Sequence, residues 1–261
     1  MITGTAGTAR RIAIAAVAAA MTMGLVTACE GDDKGRPAKG AAESVSPGGS
    51  AKPSTEPAAP PADEKPSSGR TLSKAELAKA ALATGDVPGL VVTPMQGGED
   101  PGTEKADKPG CEPLAALING APEPAAAATV YRTIVDKSEE GKETQTVVTE
   151  ILTSHANGSA GAVLESLRTA VAACAAGFTT HGGGDGASTY SEVKQLPAPR
   201  AGEDAIACQV TGAVDGAKVP LVLHVVRKGA SVATFYTANF IDARTPEVPA
   251  ALFAEQAAKL P

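Results

Sequence analysis

The strongest constraint on this chain is a stretch that cannot build a core. From Glu30 to about Arg70 it is rich in Pro, Gly, Ser, Ala and charge, with no apolar periodicity. Such a segment buries too little apolar surface to offset the entropy of ordering it, so residues 29–70 read as an unstructured tether. A folded core has to come from residues 71–261. That is about 190 residues, enough for one domain.

Before the tether stands an export signal. Arg10 and Arg11 precede a short apolar run, Ile12 to Leu25, which falls short of the ~20 residues a spanning helix needs. The arginine pair hints at twin-arginine export, although Ile12-Ala13 follows it in place of a bulky Phe-Leu. The run closes in Leu25-Val26-Thr27-Ala28-Cys29, which resembles the bacterial lipobox. In that class of signals the cysteine is acylated and becomes the new N-terminus. Residues 1–28 are therefore expected to be a lipoprotein signal peptide. Acyl chains on Cys29 would then anchor the mature chain to the extracytoplasmic face of the cell membrane. Two or three chains suffice for stable anchoring where one does not. The competing reading is an ordinary secretory peptide cut near Ala28.

Charge narrows the partners. Removing residues 1–28 takes away Arg10 and Arg11 and moves the formal charge from −6 to −8. An acidic chain without a basic stripe argues against nucleic acid. Trp is absent and aromatics make up 3%, which disfavours a sugar-stacking or single-strand-binding surface.

From Thr71 the texture changes. Ser73-Lys74-Ala75-Glu76 fits a capping box, predicting a helix to about Leu82. Asp86-Val87-Pro88-Gly89 predicts a turn into a short extended Leu90-Val91-Val92, and 96–110 reads as a loop. Ala127 to Asp136 reads as a strand, Lys137 to Gly141 as a polar turn, and Glu143 to Thr153 as its hairpin partner with Val147, Thr149 and Ile151 on one face. Asn157 to Ser159 offers caps for a helix with apolar positions at Val163, Leu164, Leu167, Ala170, Val171 and Cys174. Gly177 fits just past its end, with Phe178 packing back. A three-strand meander follows: Ala205 to Val214, Val219 to Val226, and Ser231 to Ile241. Asp215-Gly216 and Lys228-Gly229 form its turns. A helix around Pro249 to Leu260 closes the chain. Hairpins in runs with helices between them predict an α+β fold, an antiparallel β-sheet flanked by helices.

Three cysteines remain in the domain: Cys111, Cys174 and Cys208. An exported chain can hold one disulfide among them. The expected bridge is Cys174–Cys208, clamping an apolar helix face to a strand. The alternative pairs Cys111 with one of the two.

No catalytic set emerges, and no cofactor or metal site is expected. Of the three histidines, His224 sits in an apolar strand and reads as a core residue. His181-Gly182-Gly183-Gly184-Asp185 is similar to the glycine-rich oxyanion loop of some esterases, but no Gly-x-Ser-x-Gly accompanies it. Ser191-Glu192-Val193-Lys194 has the Ser-x-x-Lys spacing of penicillin-binding enzymes, but it falls in a predicted strand where that motif needs a helical turn. The companion Ser-Asp-Asn and Lys-Thr-Gly are absent, so it reads as a solvated strand. Asn157-Gly158-Ser159 matches a glycosylation sequon and reads better as a helix cap.

Order and spacing over residues 72–260 resemble the extracellular sensor domain of PknH-type serine/threonine kinases and related actinobacterial lipoproteins. The likeness runs through Asp86-Val87-Pro88, Cys111 before an Ala-rich stretch, the Tyr131 strand, the helix ending Ala173-Cys174, the Ala207-Cys208-Gln209 strand with its meander, and a final helix. The chain departs from that pattern in lacking a Trp near the end of the Cys174 helix and a fourth domain cysteine in the last strand of the meander. The resemblance implies an antiparallel sheet with a ligand-receiving cleft and no catalysis. The expected function is thus a membrane-anchored lipoprotein with a non-catalytic, ligand-binding or sensor-like domain. Its partner would be an unknown small molecule, lipid or envelope protein. The alternatives are a cell-envelope hydrolase using His181 or Ser191, and a structural or protein-interaction lipoprotein.

Overall fold

A computed structural model describes residues 69–95, 101–156, 158–183, 186–214 and 216–261. The signal peptide, Cys29 and nearly all of the tether lie outside the described residues. So do positions 96–100, Asn157, Gly184, Asp185 and Asp215.

The chain runs α1 (Lys74–Ala80), β1 (Leu90–Pro94), β2 (Lys105–Ala106), a 3-10 turn at Pro109–Cys111, α2 (Glu112–Ile118), β3 (Ala128–Asp136), α3 (Glu139–Thr144) and β4 (Val147–Ser154). It continues with α4 (Ser159–Ala173), β5 (Phe178–His181), β6 (Thr189–Leu196), β7 (Asp204–Val214), β8 (Ala217–Lys228), β9 (Ser231–Ala238) and α5 (Ala250–Lys259). The nine strands form one sheet in the order β1-β3-β4-β9-β8-β7-β6-β5-β2. Every pairing is antiparallel. The α+β expectation holds.

Local chemistry explains the main elements. Ser73 accepts the Glu76 amide while the Glu76 side chain returns to the Ser73 backbone, so the predicted capping box is complete. Val163, Leu164, Leu167, Ala170, Val171 and Cys174 are all buried, the stripe that the 3.6-residue period requires. Gly177 lies three residues beyond the cap of α4 with φ +85°, and a Cβ there would come within 2.2 Å of the Tyr190 carbonyl. Pro220 is the fourth residue of β8, yet it costs no ladder bond. Its carbonyl receives the Asn239 amide, so its nitrogen faces the same side, where β9 has already ended at Ala238.

Because side chains alternate faces along a strand, the register sorts the core into two layers. On the first face Val193, Ile206, Cys208, Val210, Leu223, Val225 and Val232 pack under α2 and α4. On the second face Val130, Ile134, Val148, Leu152, Phe235 and Val226 pack under α1 and α5, which supply Leu77, Leu252 and Phe253.

The segment 96–110, read as a loop, contains the short strand β2 and the start of the 3-10 turn, and four further expectations need correction. Residues 137–146, read as a turn running into a strand, contain the short helix α3 capped by Ser138, so β4 starts only at Val147. Val147 is 46% exposed, and β4 is covered on both sides. Val148, Glu150 and Leu152 face one layer, while Ile151 is buried on the other. β9 stops at Ala238 because the Asn239 side chain accepts the amides of Ile241 and Asp242, turning the chain away from the ladder.

The fourth correction is the disulfide. It joins Cys111 to Cys174, with Cα atoms 5.9 Å apart, and not Cys174 to Cys208. Cys174 caps α4, and the 3-10 turn carrying Cys111 lies alongside it at bridging distance. Cys208 sits in the same core layer on β7 as a free buried thiol, its pKa pushed up to about 12 by burial.

Candidate functional site

The loop that Asn239 starts, running to the beginning of α5, forms one wall of a cleft of about 660 Å³. The other wall comes from Asp136 at the end of β3 and from Thr144 and Thr146 around the end of α3. Thr237, Arg244 and Thr245 complete the polar part of the lining. These groups are held by hydrogen bonds to one another and to residues behind the wall. Thr144 and Thr146 hydroxyls lie 2.7 Å apart, Thr237 donates to the Val147 carbonyl at 2.8 Å, and Thr245 donates to Gln209 Oε1 at 2.7 Å. Asn239 Nδ2 donates to Asp242 and to the Arg244 carbonyl. The Arg244 amide and the Asn239 side chain, joined by the Arg244 guanidinium, hold the Asp242 carboxyl below its usual pKa. Hydroxyls, an amide and both signs of charge on a preformed wall suit hydrogen bonding to a polar ligand.

A second cleft of about 600 Å³ follows α2. It is lined largely by the methyl and ring groups of Ala121, Pro122, Ala125 and Ala126, with Lys74 and Glu123 among its lining residues. Tyr131 closes one side, its hydroxyl donating to the Gly120 carbonyl at 3.0 Å.

The residues weighed for catalysis are not brought together. His181 is exposed on β5, opposite Lys105 of the short strand β2. Ser191 lies on β6, its hydroxyl donating to the Thr211 carbonyl at 3.3 Å. Phe178 pairs with Tyr190 and Thr179 with Thr189, so the ladder sets Ser191 about four residues, roughly 13 Å, from the level of His181. Ser191 and Lys194 are both exposed, and a register shift between Tyr190 and Glu192 interrupts the alternation of faces there. His155 is fully buried, with Nε2 2.9 Å from the Thr153 hydroxyl, and burial pushes its pKa down. His224 packs its ring 4.8 Å from Phe253, and burial lowers its pKa to about 4, in keeping with a core residue. Among the described residues no group of three His, Cys, Asp or Glu side chains is placed to hold a metal ion, and no helix is long and apolar enough to cross a membrane.

One chemically unusual group escaped the sequence reading. Glu150 is completely buried, and neither carboxyl oxygen has a hydrogen-bond partner. Burial, the dominant cause, raises its pKa to about 7 against the weaker pull of Arg132. Gln256 on α5 is also buried, with Oε1 unpaired. A signal was present for both. Glu150 stands between Val148 and Leu152 on a period of two, and Gln256 between Leu252 and Leu260 on a period of four.

No family model matches the chain, and no curated protein matches it. Among solved structures it is similar to the extracellular domain of PknH from Mycobacterium tuberculosis, with 10% sequence identity and a TM-score of 0.45, over 73% of this chain and 95% of that one.

Proposed function

We propose that the chain is a lipid-anchored extracytoplasmic lipoprotein whose domain, residues 71–261, binds a ligand without catalysing its conversion. The observation that carries this reading is Leu25-Val26-Thr27-Ala28-Cys29 at the end of a short apolar run behind Arg10 and Arg11. The Cys111–Cys174 bridge supports it, because structural disulfides persist in oxidising compartments outside the cytosol. The polar cleft beside Asn239 supports the ligand-binding half. The separation of His181 and Ser191 along the sheet weighs against a hydrolase that would use the two together.

Two measurements test the two halves. Expressed in a Gram-positive host, the chain should appear in the membrane fraction with an N-terminal diacylglyceryl mass on Cys29, and Cys29→Ala should release it. A soluble wild-type product cut near Ala28 would overturn the anchor. Native mass spectrometry of the gently extracted, non-reduced protein should show a reproducible extra mass that mild activation removes. A bare mass from every growth condition would overturn the ligand.

A protein-interaction role has one observation of its own. The exposed large hydrophobic residues Val147, Val214, Phe240 and Ile241 all fall at the end of the sheet where β9 and β7 finish and β4 begins. A chemical cross-link to an envelope protein, abolished by Phe240→Ser with Ile241→Ser, would favour this reading over a small ligand.

A further inference from the structure

Glu150 occupies the middle of a cross-strand row on the second face of the sheet. Pairing sets Arg132 of β3 opposite Glu150 of β4, Glu150 opposite Phe235 of β9, and Phe235 opposite His224 of β8. α1 and α5 roof this row, and they are tied to each other. Gln256 Nε2 donates to the Ala80 carbonyl at 3.0 Å, and Lys259 pairs with Asp86 at 2.7 Å.

The charged groups facing Glu150 are already engaged. From β3, Arg132 donates to the carbonyls of Tyr131 and Ala78, each at 3.0 Å. From α5, Lys259 holds Asp86, which lies beyond the end of α1. The Leu82 amide approaches Glu150 without completing a hydrogen bond. His224 is two strands away in the row. An ionised carboxylate here would be a buried charge without a bonded partner, far costlier than a neutral acid in the same place.

We propose that Glu150 is an internal proton-binding site that latches α1 onto the sheet: the cover is closed while Glu150 holds its proton and loosens when the proton leaves. Its pKa, raised to about 7 by burial, puts the response near neutrality. The folded pKa lies above the unfolded value of 4.5, so closure is fully favoured below pH 4.5, weakens as pH rises to about 7, and is level beyond. That interval is worth roughly two orders of magnitude in the opening equilibrium. The neighbours respond with the opposite sign. Asp86, its pKa lowered chiefly by Lys259, loses its contribution only as pH falls. His224 is held neutral and also weakens the fold on the acid side, where it touches Phe253 of α5. Base therefore acts on α1 and acid on α5. α1 directly follows the segment read as the tether, so proton release at Glu150 would be felt where the domain joins its anchor.

Hydrogen–deuterium exchange on the full mature chain tests this between pH 4.5 and 8.5, with rates corrected for intrinsic exchange and α4 as the internal reference. The expected result is a rise of roughly 100-fold in the opening of residues 74–82 across the wild-type series. Glu150→Gln should abolish it and stay closed at pH 8, with α4 unchanged in both proteins. If Glu150→Gln does not fold, Glu150→Met serves the same purpose. A wild-type α1 that ignores pH, a variant with the wild-type profile, or an equal rise in α4 would each overturn the proposal.

Discussion

The two faces of the sheet are built on different terms. The first is closed by α4, fifteen residues long, and α2, which a disulfide ties together, and its core layer is apolar apart from sulfur and buried hydroxyls such as Thr153, which bonds His155 at 2.9 Å. The second is closed by helices of seven and ten residues, and this layer holds Glu150 and, on α5 itself, Gln256 with unpaired oxygens, and His224 with an unpaired Nδ1. A well-filled layer resists opening because its apolar groups are held by contact with their neighbours. A layer holding unpaired polar groups gains solvation when it opens. The contrast teaches that one sheet can carry a permanent side and a responsive side, with the responsive one under the first and last of the described helices.

Removing the disulfide is the strongest way to break this contrast. Cys111→Ala with Cys174→Ala releases a loop of 63 residues and should cost about 4 kcal/mol in denaturant titrations. Exchange protection should fall in α2 and α4 and hold in α1 and α5. Equal loss on both faces would erase the distinction. Next comes Leu164→Ala, which empties a fully buried position on α4 and should cost about 3 kcal/mol. Leu252→Ala on α5 should cost less, because a short terminal helix can settle into the space. His224→Phe sharpens the contrast through pH. The native histidine has a pKa lowered from 6.5 to about 4, so its contribution is intact above pH 6.5 and lost as pH falls toward 4. With a discount for partial solvent screening, the variant should be more stable than wild type by about 1–2 kcal/mol near pH 4 and indistinguishable above pH 6.5. Smallest is Ser73→Ala. It removes the capping hydroxyl of α1 and should cost about 1 kcal/mol, read best as local fraying of residues 74–77.

Much of the fold was legible because its signals are local. The Ser73–Glu76 box, the α4 stripe and the β7–β9 meander follow from spacing alone, and each stands where spacing put it except for the early end of β9. The disulfide was not legible. Choosing Cys111 over Cys208 as the partner of Cys174 depends on how α2 and α4 lie side by side, and that arrangement belongs to the tertiary packing. The β4 error has the same origin. A strand inside a sheet covered on both sides shows no alternation, so Val147, Thr149 and Ile151 looked like the buried set while Val148, Glu150 and Leu152 were buried too or instead. The candidate cleft was legible only as an expectation that one exists. Its walls meet because Asn239 ends β9 early, and Phe240 and Ile241, which looked like strand, stand 71% and 59% exposed.

A nine-stranded sheet is also a template, since a bare outer strand invites copies of itself to zip on and grow into fibres. Among the described residues this sheet ends in β1, five residues closed by Pro94, and in β2, only two residues long. Proline cannot donate a ladder bond, and two residues offer too few groups for a register to take hold. Many copies could therefore stand side by side at high local density and remain separate molecules.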